Sequence, residues 1–233
     1  MITASVSEVG ETGSTNDDLA ALAAAGAAEG TWLRADRQFG GRGRQGRVWQ
    51  SPAGNLHAST LVRVAPTDPP APTLALVAAV ALHEALLLAA PDAPTRIKWP
   101  NDLVADRAKL GGILLERAGD AVVIGFGVNL AHHPHDLERP TTDLATLAGH
   151  APDAPAFCAM LADVFSLELS RWRSEGLAPL RARWLSRAHP IGTALATSEG
   201  EGVFAGLDEA GALRLRLADG STRLIHAGDV FLV

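Results

Sequence analysis

Gly40-Gly41-Arg42-Gly43-Arg44-Gln45-Gly46-Arg47 lies between an apolar run that ends at Ala35 and a segment that begins at Trp49. Four glycines and three arginines in eight positions pack poorly and close well around an anion. Glycine lets the backbone take positive φ and approach a ligand closely. Arginine brings a fixed fork of donors suited to carboxylate and phosphate. The flanking runs, Thr31 to Ala35 and Leu56 to Val64, read as strands. The loop therefore occurs once, between two strands, unlike RGG segments that repeat in disordered tails.

Working outward, Ser14-Thr15-Asn16 followed by Asp17, Asp18 and an Ala/Leu run predicts a capped helix that stops at Gly26. A turn-rich linker, Pro66 to Pro72, leads into an apolar helix from Thr73 to Ala90. His83 and Glu84 interrupt that helix, which argues for a buried helix and against a membrane span. Arg96 to Trp99 reads as a strand stopped by Pro100-Asn101-Asp102. Leu110 to Glu116 and Val122 to Val128 flank Ala118-Gly119-Asp120 as a hairpin. Pro155 to Glu175 and Ala178 to Arg187 have helical periodicity. After Pro190, short alternating runs at Ala194–Thr197, Val203–Leu207, Leu213–Leu217 and Thr222–Ile225 are broken by turns about every ten residues, the pattern of a small β-barrel. The expected class is α+β, with a main domain over 1–188 and a docked β-rich appendix over 189–233.

Composition narrows the function. The chain has 233 residues, is 47% hydrophobic and carries a net charge of −6, ample for a core and unlike a protein that recruits nucleic acid by bulk charge. The arginine loop is a local positive feature on an acidic body. The single cysteine, Cys158, sits on an apolar helical stretch and reads as packing, in keeping with a reducing cytoplasm. Met1 to Ser5 carries no basic flank or apolar core of signal length.

Chemistry concentrates in four polar clusters. Ser14-Thr15-Asn16 serves as a helix cap or hydrogen-bonds a small polar ligand group. The Gly/Arg loop, with Gln38 just before it, is a solvated loop or an anion clamp. Lys98-Trp99-Pro100-Asn101-Asp102 is a plain turn, or supplies oxygen ligands at a strand end to a hard cation such as Mg²⁺. Lys109-Leu110-Gly111-Gly112-Ile113-Leu114-Leu115-Glu116 is a strand with a snorkelling lysine, or a point cation beside exposed backbone. Gly125-Phe126-Gly127-Val128-Asn129 ends the next strand in the same way. Together these groups can bind a polyphosphate with its metal, an activated carboxylate and a flat base. A GxxxxGK[ST] loop and a GxSxG elbow are missing from the sequence, and no GxGxxG follows a strand and opens a helix, so neither a P-loop nor a Rossmann site is supported. His132, His133 and His135 cluster in a Pro-containing loop, without carboxylates at metal-ligand spacing.

The five motifs from Gly41 to Asn129, with Ser51-Pro52-Ala53-Gly54-Asn55-Leu56 among them and Ser14-Thr15-Asn16 upstream, resemble biotin–protein ligases in order and spacing. The resemblance implies a class II aminoacyl-tRNA-synthetase-like, biotin-synthetase-like catalytic domain: a mixed sheet with flanking helices, then a small SH3-like barrel. It implies that biotin and MgATP give biotinyl-5′-AMP, from which a lysine of a biotin carboxyl carrier domain takes the biotin. By the same resemblance, Arg44 and Lys109 are catalytic. Ser14, Thr15, Asn16, Gln38, Gly41, Arg42, Gly43, Arg44, Lys109, Gly111 and Gly112 bind biotin. Arg44, Arg47, Trp49, Lys98, Asn101, Asp102, Lys109 and Asn129 bind ATP, and Asp102 holds the metal. A lipoate or octanoate ligase or transferase of the same fold is the alternative. His57 stands where tyrosine is common in the family, and the chain has no tyrosine. With the motifs starting near residue 15, no helix-turn-helix is expected, hence no operator binding; monomer and homodimer both fit the family.

Overall fold

The computed structural model describes residues 5–233; the reading of Met1 to Ala4 lies outside them. Seven strands form the main sheet: β1 (Ser5–Thr12), β2 (Thr31–Gln38), β3 (Leu56–Arg63), β4 (Thr95–Lys98), β5 (Asp102–Ala105), β6 (Ala108–Ala118) and β7 (Ala121–Val128). Their order is β1-β2-β3-β7-β6-β5-β4, and only the β1–β2 pair is parallel, so the sheet is mixed. Helices are α1 (Thr15–Ala24), α2 (Leu74–Ala89), α3 (Leu144–Ala148), α4 (Ala154–Glu175) and α5 (Leu177–Arg187). The α+β class is as expected, and the long elements match the sequence reading closely.

Alternation along the strands decides what each face meets. Val122, Ile124, Phe126 and Val128 of β7 point to the face covered by α2 and α4. Ala121 and Val123 point to the opposite face, against Leu19 and Ala23 of α1. Helix α2 is buried almost all round, from Leu74 to Leu86, which explains an apolar run long enough to cross a membrane: it is the core helix. Each fully buried leucine there contributes about 1.5–3 kcal/mol. Trp32 stacks on Phe126 at 5.5 Å, and both meet Phe165 of α4 edge-on, locking helix to sheet.

The C-terminal run forms a five-stranded antiparallel sheet in the order β11-β10-β9-β8-β12, made of β8 (Ala194–Thr197), β9 (Gly200–Leu207), β10 (Leu213–Arg216), β11 (Thr222–Ile225) and β12 (Val230–Leu232). Its buried residues Leu195, Phe204, Leu213 and Val230 join the main core without a break. The Trp99 Nε1–H donates to the Gly211 carbonyl at 3.2 Å, tying the two sheets.

Cys158 is buried on α4 beside the sheet. Burial pushes its thiol up to about 12, so it stays protonated at neutral pH. Native protein should therefore resist maleimide at pH 7.5 over the time in which urea-unfolded protein is fully labelled. Equal labelling rates, read by mass spectrometry, would show the helix–sheet packing to be open.

Candidate active site

Register builds the floor of the site. His57 pairs with Gly127, Gly127 with Gly112, Gly112 with Asp102 and Asp102 with Lys98, in one row across five strands. Ser59 pairs with Gly125 one step along. On the α1 face, Gly112, Gly125 and Gly127 carry no side chain, so the floor is bare backbone. Other groups take up that room. A Cβ at Gly127 would lie 2.6 Å from the Trp49 indole, and one at Gly125 would collide with the Asn16 amide. The result is a cleft of about 570 Å³ lined by α1, the Gly/Arg loop, β4 to β7, the 134–141 segment and β12.

At one end lies a network of mostly neutral polar groups, bounded by the Glu116 carboxylate. The Thr15 backbone N–H donates to Gln38 Oε1 at 2.8 Å, and Gln38 Nε2 donates to Ser51 Oγ at 3.1 Å. Ser59 Oγ donates to Asn16 Oδ1 at 2.6 Å, and Asn16 Nδ2 donates to Glu116 Oε2 at 2.7 Å. Ser14 caps α1 as read from the sequence, accepting from the Asp17 N–H.

The other end is cationic. Lys109 Nζ lies 2.6 Å from Asp102 Oδ1, and Lys98 Nζ lies 3.4 Å from Asp102 Oδ2. Burial raises the Asp102 carboxyl, but the ammoniums of Lys109 and Lys98 outweigh it and hold the group below its ordinary value. Burial also pulls the Lys98 ammonium down, with Asp102 opposing and Lys109 adding to that shift. Two ammoniums facing one carboxylate leave a net positive charge. Lys109 also sits 5.5 Å over the Trp49 ring. Arg44 Nη1 donates to Gly228 O at 3.1 Å and to Asn101 Oδ1 at 3.4 Å, while Asn101 Nδ2 donates to the Ile113 carbonyl.

The loop is folded rather than extended. Arg44–Gly46 makes a short 3₁₀ turn, with Gly46 at φ 70°, and Gly43 N–H donates to Arg47 O at 2.7 Å. Arg42 forms a two-pronged pair with Asp17, at 2.5 and 2.7 Å, and reaches Glu116 at 3.5 Å. Arg47 pairs with Asp229.

Of the residues singled out from sequence, Gly41 and Gly111 do not line the cleft. A Cβ on Gly41 would meet Ser51 Oγ at 2.7 Å and Trp49 O at 2.8 Å; one on Gly111 would meet Gly127 O at 3.0 Å. Both glycines permit close packing behind the cleft wall. Asn129 lines the cleft, although its Nδ2 is engaged by Thr142 O at 3.0 Å. The donor set does not fit a resident Mg²⁺ at Asp102, since each carboxylate oxygen faces an ammonium. Among the described residues no three His, Cys, Asp or Glu side chains converge as a metal cage. His133 Nδ1 lies 2.6 Å from Asp143 Oδ2, a hydrogen bond that fastens the loop to the cap of α3. The sequence reading assigned no site role to Asp17, Ser51, Ser59, Glu116, Asp229 or the 134–141 segment. Alternation from Phe126 could have flagged Gly125 and Gly127 as floor.

Residues 13–129 match the Biotin/lipoate A/B protein ligase family, and residues 196–233 match the Biotin protein ligase C terminal domain. The chain belongs to the biotin/lipoate protein ligase family. It is 40% identical to the biotin–[acetyl-CoA-carboxylase] ligase of Paracoccus denitrificans, over 94% of this chain and 97% of that protein. It is 36% identical to the enzyme of the same name from Mycobacterium tuberculosis, over 95% and 86%. Its fold superposes on the biotin protein ligase of Aquifex aeolicus in complex with biotin and ATP at a TM-score of 0.88, with 26% identity, covering 98% and 99% of the two chains. The family's two matched parts are thus both present in this chain, with the cleft floored by the ligase portion and edged by the 134–141 segment and by Asp229 and Val230 of the C-terminal portion.

Because the folded-state Asp102 carboxyl lies below its unfolded value near 3.8, it adds stability that is complete above that pH and is lost as pH falls through the folded value. Asp102→Asn should cost about 3 kcal/mol at pH 7 by leaving two ammoniums unpaired. The gap to the parent should narrow below pH 3.8 in urea unfolding. A gap that stays constant down to pH 2.5 would show that the carboxylate is not paired as described.

Proposed function

We propose that this chain is an ATP-dependent biotin–protein ligase working in the cytoplasm. One observation carries the reading: a neutral hydrogen-bonding pocket and a cluster of cations sit at opposite ends of one cleft, in a chain of this family. A ureido ring and aliphatic tail suit the first end, and a triphosphate suits the second.

In the first half-reaction, a biotin carboxylate oxygen attacks the α-phosphorus of ATP, forming the mixed anhydride biotinyl-5′-AMP and expelling pyrophosphate. Two anions must meet, so the site's task is neutralisation and alignment. Lys109 and Arg44 are assigned to the carboxylate and the reacting phosphate. Lys98, Arg47 and Asn101 are assigned to the nucleotide's phosphates, with Trp49 and Asn129 on its base and sugar side. Asp102 keeps Lys98 and Lys109 oriented, and any Mg²⁺ arrives on the phosphates it neutralises. Thr15, Asn16, Gln38 and Ser14 are assigned to the biotin head, with Gly112 as floor and Arg42 and Gly43 as part of the lid. In the second half-reaction a carrier lysine attacks the acyl carbon as a neutral amine, AMP leaves, and the amine loses its proton. A biotin carboxyl carrier domain of acetyl-CoA carboxylase or a related carboxylase is the partner of choice. A closed lid keeps water from the anhydride in the interval.

Exchange of labelled pyrophosphate into ATP tests the first half-reaction. Exchange should require biotin and be absent with lipoate; exchange with lipoate alone would reject the reading. Lys109→Ala should lower that exchange at least about 10²-fold, the scale of one lost donor to developing charge. Unchanged exchange would remove Lys109 from the reaction. Arg44→Gly should shed free adenylate into solution, seen as biotinyl-AMP in the filtrate; full retention would contradict its part in the lid.

A further inference from the structure

We propose that Asn55 is a positioning residue for the nucleotide side of the cleft, acting through the backbone of residues 130–132. This rests on the ATP-dependent reading above. Asn55 stands just ahead of β3 and is only 1% exposed. Its Oδ1 accepts three successive backbone N–H groups, from Leu130 at 3.1 Å, Ala131 at 3.0 Å and His132 at 3.0 Å. Its Nδ2 donates back to His132 O at 2.8 Å. Three consecutive amides converging on one oxygen fix the direction of the chain as it leaves β7. Among the described residues those amides have no other partner, and the Leu130 amide is buried, where an unpaired N–H is costly. Gly54 makes room for the approach: at φ +90°, a Cβ there would lie 3.2 Å from the Ala131 methyl.

What leaves β7 in that direction is the cleft wall. Asn129 immediately precedes the captured amides, and Pro134, Leu137, Arg139 and Thr141 line the cleft beyond them. The far end of the segment is tied to Lys109: its N–H donates to Pro140 O at 2.9 Å, and its carbonyl accepts from Thr142 N–H at 3.0 Å. The wall is therefore strung between Asn55 at one end and the Lys109 backbone at the other. The side-chain hydrogen bonds of Asn55 all run to residues 130–132, and none to the pocket around Thr15 and Gln38 or to the lid, so its loss acts on one substrate side.

Biotin-dependent exchange kinetics, with each substrate varied in turn, test this. Asn55→Ala should raise KM for ATP at least about tenfold while KM for biotin stays within about twofold, the scale expected for losing a few net hydrogen bonds on one wall. Asn55→Asp keeps an oxygen for the three amides and should recover KM for ATP to within about threefold of the parent. Should the alanine variant fail to fold, Asn55→Ser, which keeps a polar but shorter side chain, is read for the same split. Equal rises in both KM values, a loss confined to kcat, or an aspartate no better than alanine would overturn the proposal. Hydrogen exchange reads it without activity: amides 130–132 should be slow in the parent and in Asn55→Asp and fast in Asn55→Ala. Fast exchange there in the parent would also overturn it. A parent that shows this protection but no biotin-dependent exchange would instead refute the ligase reading.

Discussion

A floor without side chains is the constraint on which the rest depends. Gly112, Gly125 and Gly127 share one face of adjacent antiparallel strands, and their pairing brings His57, Asp102 and Lys98 into line with them. A Cβ on Gly127 would displace the Trp49 indole, one on Gly125 the Asn16 amide, and one on Gly112 would crowd the Lys109 ammonium at 3.2 Å. The bare backbone is what lets an indole, an amide and a ligand share the space above the sheet. The opposite face of the same strands packs Phe126 and Ile124 into the core, so the floor cannot yield without disturbing the fold.

Around that floor most charges are paired, and a net positive remainder stays at Lys98, Lys109 and Arg44. Asp102 holds two lysines that would otherwise repel each other in a partly buried site. Arg42 rests on Asp17 and Glu116, and Arg47 on Asp229. These pairs keep a strongly cationic loop compact on an acidic protein. The exposed ones are cheap to exchange, since surface pairs are worth about 0–1 kcal/mol, which suits groups that must turn toward a phosphate.

Much of this was legible in the sequence. Period and capping located α1, α2, α4, α5 and the β6–β7 hairpin to within a few residues, because each carries a strong pattern or a clear stop. Three strands escaped. Ser5–Thr12 is polar and lies on an exposed edge, so its alternation buries little. Asp102–Ala105 is four residues long and follows directly on a Pro-Asn turn that reads as an ending. Val230–Leu232 is only three residues long. In the site, the arginines, lysines and Asp102 were visible because their types are costly to bury without purpose. The 134–141 wall was not, because it has no period and its position depends on contacts from Asn55 and Lys109 far away in sequence. Gly41 and Gly111 were assigned to biotin by the family resemblance; here Gly41 packs against Ser51 Oγ and the Trp49 carbonyl, and Gly111 against the Gly127 carbonyl.

In the proposed reaction the cation cluster and the neutral pocket act on one biotin carboxylate, and its acyl group passes to a lysine. Intact mass of a biotin carboxyl carrier fragment, taken after incubation with this protein, biotin and MgATP, tests that claim most directly. The account predicts a single added mass of one biotin less one water, lost when the acceptor lysine is replaced by arginine. An unchanged carrier mass, with ATP consumed or not, would contradict it.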